Sequence, residues 1–157
     1  MMQWFTDLNG VLQYLNKVVV DGVQHDISQR IYDIIRSYLL KNLYNRYQPQ
    51  AYIRTYELLN SLTIGDVVRN GLQIYANVYF DVDKIYPHRV HGSIWNQHMS
   101  IKGEDVSAFI PEWMEYGHRG LWTWEGGHFI DDARNEIEMK YIDWIKQILS
   151  KEGIALF

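Results

Sequence analysis

The chain is predicted to be α+β: N-terminal helices, an antiparallel sheet built on a central β-hairpin, and a long C-terminal helix packed on that sheet. Three observations carry this reading. First, Asn70-Gly71 separates two arms. In the second arm Leu72, Ile74, Ala76, Val78, Phe80 and Val82 alternate with Gln73, Tyr75, Asn77, Tyr79 and Asp81, the period-two pattern of a half-buried strand. Second, apolar residues recur at helical spacing at both ends of the chain. Third, no repeat, linker or low-complexity tract divides it, so residues 1–157 form one domain, with a long irregular loop at about 84–111.

In chain order, Asp7 suits an N-cap, and Leu8, Val11, Leu12, Leu15 and Val18 give a helix over residues 7–20. Asp21-Gly22 breaks that pattern. A second helix starts near Asp26, with Val23, Ile27, Ile31, Ile34 or Ile35, Tyr38 or Leu39, and Leu43 on one stripe. Asp26 and Arg30 sit four apart in the favourable order, and Gln48-Pro49 ends the run near Tyr47. This amphipathic pair is expected to be a helical hairpin covering the core. The first hairpin arm, residues 58–69, loses strict alternation near Gly65-Asp66, which predicts a bulge or twist. Asn-Gly accepts positive φ at both central positions of a tight turn. Pro111 and Gly117 bracket a short helix, while residues 100–103 and 121–124 read as short strands. The last helix covers about 129–149. It has Ile130, Ala133, Ile137, Tyr141, Trp144 and Ile148 on one stripe, Asp131 and Asp132 in the first turn, a Glu136–Lys140 pair, and Gly153 as its stop.

Composition narrows the function. Apolar residues are 47% and charged residues 22% of the chain, ordinary for a folded domain, but 15% are aromatic, including 6 Trp and 12 Tyr. Tyr and Trp are enriched where proteins meet. A net charge of −4 lacks the basic footprint that grips a phosphate backbone. Zero cysteines exclude a disulfide scaffold and thiol chemistry. No signal-peptide pattern and no run of membrane-spanning length is visible, so a soluble protein without membrane association is expected.

Two clusters invite a chemical reading. His88, His91 and His98 are candidate zinc ligands, with His118 and His128 following in sequence, yet Pro87 and Gly92 leave the His88-x-x-His91 spacing without a rigid frame. Asp81 and Asp83 at a strand end would share a face, as metal-dependent nuclease carboxylates do. No third carboxylate stands at a persuasive spacing, and no phosphate loop or nucleophile motif accompanies them. No catalytic, metal or cofactor-binding residue is therefore assigned, and a non-enzyme is expected.

Motif order says more. Arg54, Thr55, Leu58 and Ser61 precede the hairpin, Glu115-Tyr116-Gly117 follows, and His128-Phe129-Ile130-Asp131-Asp132-Ala133 opens the last helix. This order resembles a family of small neck or tail-completion proteins at the head–tail junction of long-tailed bacteriophages. Its pattern is Arg-Thr-Gly-x-Leu-x-x-Ser leading into a sheet, a Glu-aromatic-Gly turn, and Pro-Phe-x-x-x-Ala starting a final helix. Tyr56 stands where the pattern has glycine, His118 where threonine is usual, and His128 where it has proline. The resemblance implies a virion structural protein, assembled in the host cytoplasm, that acts by ring assembly. Implied partners are head-closure, tail-terminator or tail-tube proteins, with DNA only passing through the lumen. The contact residues expected from their aromatic, irregular setting are Trp95, Trp113, Trp122 and Trp124, joined by Phe157 in the apolar tail. The alternatives are a metal-dependent nuclease-like hydrolase, or a small acidic inhibitory module binding one partner.

Overall fold

The computed structural model describes residues 7–46, 56–70, 73–85, 104–117 and 125–154. Helix α1, Leu8–Gly22, starts as expected: Asp7 Oδ1 accepts the Gly10 amide at 2.7 Å. The expected break at Asp21-Gly22 does not occur. Gly22 keeps helical angles (φ −64°, ψ −40°), and the chain runs through a π-helical turn, Val23–Ile27, into α2, Ser28–Leu39. A second π turn, Leu40–Tyr44, leads to Asn45. The two expected helices are one continuous rod, and Gly22 serves packing, since a Cβ there would lie 2.5 Å from Ile148 Cγ2.

The π turns keep one apolar stripe on one side. Ile27, Ile31, Ile35, Leu39 and Leu43 recur every fourth residue, a spacing that overruns a 3.6-residue turn by ~40° each time. A turn closed by i→i−5 bonds takes up the extra residue, and Ile27, Ile35, Leu39 and Leu43 are all buried. Ser28, fully buried at the first π turn, donates its hydroxyl to Val23 O at 2.8 Å.

Helix α5, Phe129–Lys151, lies antiparallel along this rod. Asn42 reaches Asp132 at 2.8 Å, Arg30 reaches Gln147 at 2.9 Å, and Lys151 reaches Asp26 at 3.2 Å. The expected Asp26–Arg30 pair within one helix gives way to these contacts, because both side chains turn toward α5. The Arg30 guanidinium also sits 5.6 Å above the Trp144 ring. The Glu136–Lys140 pair (2.6 Å) forms as expected, and Gly153 (φ 77°) follows the helix end. Tyr141 is exposed, not on the buried stripe. The spacing 133, 137, 141 drifts by ~40° per step, and α5 has no π turn to correct it.

The hairpin arm that was expected to begin at residue 58 begins later. Residues Glu57–Ser61 are a short helix, α3, followed by β1 (Leu62–Ile64), β2 (Val68–Asn70), β3 (Gln73–Tyr75) and β4 (Val78–Phe80). β1 pairs with β4 and β2 with β3, both antiparallel. Between the ladders, residues 65–67 face only 76 and 77, and Gly65 N–H reaches Asn77 O at 2.8 Å. That extra residue is the bulge foreseen at Gly65-Asp66. Alternation holds along the second arm, with Ile74, Val78 and Phe80 half-buried and Gln73, Tyr75 and Tyr79 exposed. Asn70 pairs with Gln73, so it is the last rung and not the centre of the turn; residues 71 and 72 lie outside the described residues. Buried Leu62 and its half-buried partner Phe80 set the register, and the bulge then displaces the tip.

α5 meets the sheet through its N-terminal turns, where Ala133 packs by Leu62 and Phe129 lies edge-on to Phe80 at 5.9 Å. Helix α4, Ile110–Tyr116, follows a 3₁₀ turn (Ser107–Phe109), with Pro111 in its first turn and Gly117 (φ 92°) after it, as the sequence predicts. The segments 100–103 and 121–124, read as strands, lie outside the described residues.

Candidate interaction surface

Helix α4 has two unlike faces. Ile110 and Glu115 are buried, with Met114 packed beside the core. Phe109, Trp113 and Tyr116, spaced four and three apart, lie on the other side. Phe109 is 52% and Tyr116 58% exposed. Trp113 is half-buried and stacks on Phe109 with ring centroids 5.9 Å apart. The three form an aromatic ridge.

The inward face fixes that ridge to the long helix. Glu115, 3% exposed, accepts the Ile130 amide at 2.9 Å and the Asp131 amide at 3.1 Å. Beside it, His128 N–H donates to Glu115 O at 3.0 Å and Gly127 N–H to Met114 O at 2.7 Å. The first amides of a helix have no partner inside it and carry the positive end of its dipole, so a carboxylate is the natural cap. Gly126 and Gly127 make this approach possible. Gly126 has φ +83°, and a Cβ on it would lie 2.5 Å from Glu115 O. Arg46, at the end of the rod, donates to Gly126 O at 3.1 Å and pairs with Glu125 at 3.6 Å.

The two described departures from the resemblance pattern are the two non-glycine residues with positive φ among the described residues, Tyr56 (φ 57°) and His128 (φ 49°). Tyr56 stands at the pattern's glycine, which adopts that conformation freely. It is partly compensated by stacking on Tyr44 at 4.8 Å. His128 stands at the pattern's proline, whose ring holds φ near −65°, so the backbone here enters its helix differently. The matching residues Leu58, Ser61, Phe129 and Ala133 are buried; Arg54, Thr55 and His118 lie outside the described residues.

Glu115, His128 and Asp131 place one potential metal-ligand atom each within 4.8 Å of one another. The Glu115 carboxylate is already taken by two amides at a positively polarised helix end, which opposes a cation, and Asp131 also pairs with Arg134 at 3.6 Å. Capping accounts for this cluster. Asp81 and Asp83 do not share a strand face: β4 ends at Phe80, and Asp83 lies in a 3₁₀ turn, Val82–Lys84. Asp81 caps that turn, accepting the Asp83 amide at 3.3 Å, and pairs with Lys84 at 3.2 Å. His88, His91 and His98 lie outside the described residues.

Of the expected contact residues, Trp113 is on the ridge; Trp95, Trp122, Trp124 and Phe157 lie outside the described residues. Phe109 and Tyr116 were missed, although their spacing about Trp113 was legible. A second exposed apolar surface is the outer face of the hairpin, where Tyr75 (47%) stands opposite Val68 (55%) and Tyr79 is 47% exposed. A cleft of about 410 Å³ between α1 and the end of α5 is lined by both signs of charge, including Lys17, Asp21, Lys151 and Glu152. Among the described residues no helix is long and apolar enough to cross a membrane.

No curated protein and no solved structure matches the chain. A family model, YomN, matches residues 7–151, from the Asp7 cap to the last residue of α5. The chain therefore belongs to the YomN family, a phage-derived family of the Bacillus phage type.

Proposed function

We propose that this protein is a structural component of the virion at the phage head–tail junction or tail end, a neck or tail-completion part that acts by ring assembly and not by catalysis. The observation that carries the reading is membership of a phage-derived family over residues 7–151. The junction assignment draws on the order of the motifs around residues 54–61, 115–117 and 128–133. On this reading the protein needs no metal or cofactor. It joins the particle in the host cytoplasm and contacts head-closure, tail-terminator or tail-tube proteins. Aromatic side chains held on a rigid element suit such contacts, because a few anchors amid polar surface carry most interface energy. The α4 ridge fits that description, with Trp95, Trp122, Trp124 and Phe157 as further contacts. A net charge of −4 suits a ring through which DNA slides without adhering.

The test is the double substitution Phe109→Ser with Tyr116→Ser in a phage or prophage that encodes the protein. The variant is expected to fold with an unchanged circular dichroism spectrum and to leave tailed particles incomplete and non-infectious. Normal infectivity would remove the ridge from the contact surface. Mass spectrometry of purified wild-type particles that finds none of this chain would remove the virion role itself.

A further inference from the structure

The outward face of α5 carries an apolar seam with no counterpart in the core. Met139, Ile142 and Ile145 are 75%, 46% and 37% exposed. They follow one another three residues apart; Met139 and Ile142 lie on the side of the helix away from Ala133, Trp144 and Ile148, which are buried against the rod, and Ile145 lies on its flank. Charged residues flank the seam at both ends. Glu138 precedes Met139 and is exposed, and Lys146 follows Ile145 with its side chain 61% exposed. The Lys146 contact with Asp143 is 3.9 Å long between two well-exposed groups, a pairing that water screens to little net stabilisation.

We infer that this seam binds a second copy of the chain, α5 against α5 in antiparallel orientation about a two-fold axis through Ile142. Such an axis brings together residues equally far before and after its centre. Ile142 meets Ile142, Met139 meets Ile145, and Glu138 meets Lys146. The last two pairs occur twice, because a two-fold contact is reciprocal. A parallel alignment of the same seam sets Glu138 on Glu138 and Lys146 on Lys146, which repels. The order acid, apolar seam, base is thus complementary to itself in one orientation only, and that self-complementarity selects a second copy over an unrelated protein. The seam is short compared with the ~800 Å² per partner of a stable interface, so the dimer is weak and concentration-dependent. A two-fold contact closes on itself and does not propagate a ring. This contact therefore stands apart from the ring assembly proposed above, and either idea can fail alone.

Sedimentation velocity of the full chain from ~5 μM to ~1 mM tests it. The wild type is expected to rise from the monomer mass of 18.7 kDa toward twice that value. Ile142→Asp is expected to stay monomeric throughout while keeping the wild-type circular dichroism spectrum. Glu138→Lys alone and Lys146→Glu alone are each expected to weaken association several-fold, and the double exchange to restore it, because it rebuilds both pairs with reversed sign. A wild type that remains monomeric at every concentration overturns the inference, as does a dimer that survives Ile142→Asp. Loss of helicity in Ile142→Asp, which would make the seam core, and a double exchange that fails to restore association also overturn it.

Discussion

Glu115 and the glycines facing it show how much a single residue decides here. Removing the carboxylate by Glu115→Ala leaves the Ile130 and Asp131 amides without their acceptor in a site that is nearly closed to water. We expect a loss of about 1–3 kcal/mol in urea unfolding. Gly126→Ala adds a Cβ 2.5 Å from a backbone oxygen at φ +83°, and a loss of at least about 2 kcal/mol is expected. His128 offers a test of opposite sign. Because its φ is 49°, His128→Gly should stabilise by about 0.5–1 kcal/mol, the left-handed penalty less the greater freedom of unfolded glycine. His128→Pro should destabilise strongly, since it forbids that φ and deletes the amide bonded to Glu115 O. If the glycine and proline variants melt alike, the left-handed start of α5 is wrong.

At the scale of elements, the rod and α5 are tied along their sides by polar contacts that titrate. Lys140 and then Tyr38, through their hydrogen bonds, hold the Glu136 carboxylate below its usual range, and the Glu136 bond pushes the Tyr38 hydroxyl up. A carboxylate whose folded pKa is depressed contributes stability above its unfolded pKa and loses it as pH falls through the folded value. Glu136→Gln should therefore melt below the wild type near pH 7, and the gap should close as pH drops well below about 4. A gap of constant size from neutral to acid pH would show that the charge on Glu136 contributes nothing. Gly22 tests the packing of the same two helices. Helix propensity favours Gly22→Ala by about 1 kcal/mol, whereas the 2.5 Å approach to the branched Ile148 costs about 1–3 kcal/mol. Net destabilisation is expected, and a rise in melting temperature would mean that the helices are not in close contact there.

For the molecule as a whole, one pair of long helical elements lines all three apolar clusters of the described residues. Val18 and Ile27 meet Trp144 and Ile148 at one end, Ile35 meets Ala133 in the middle, and Leu39 and Leu43 share a cluster with Phe129 at the other. Unfolding should accordingly be a single cooperative transition, with far- and near-ultraviolet dichroism coinciding. Leu39, fully buried, should lose about 3–5 kcal/mol on Leu39→Ala. Leu12, 49% exposed on α1, should lose no more than about 0.5 kcal/mol on Leu12→Ala. Two separated transitions would indicate that α1 and its cluster fold apart from the hairpin end.

Local rules that depend only on near neighbours were legible in the sequence. The Asp7 cap, the rod's apolar stripe, the alternation from Gln73 to Phe80, the bulge at Gly65-Asp66, the Pro111–Gly117 bracket and the Glu136–Lys140 pair all showed as patterns within a few residues of sequence. So did the aromatic, acidic character that argues for contact surfaces. Tertiary structure decided whatever depends on an element distant in the chain. Gly22 is a helix breaker by propensity, but the close approach of Ile148 gives a side chain no room there, so the rod continues through it. Asp26 and Arg30 could pair along their helix, but α5 offers each a partner. Glu115 carries no local sign of being a cap, because the amides it holds belong to a helix that starts at Phe129. Pattern specifies which face of an element is apolar, but only packing specifies what that face meets, because propensities are small beside the free energy of burying a side chain against a particular neighbour.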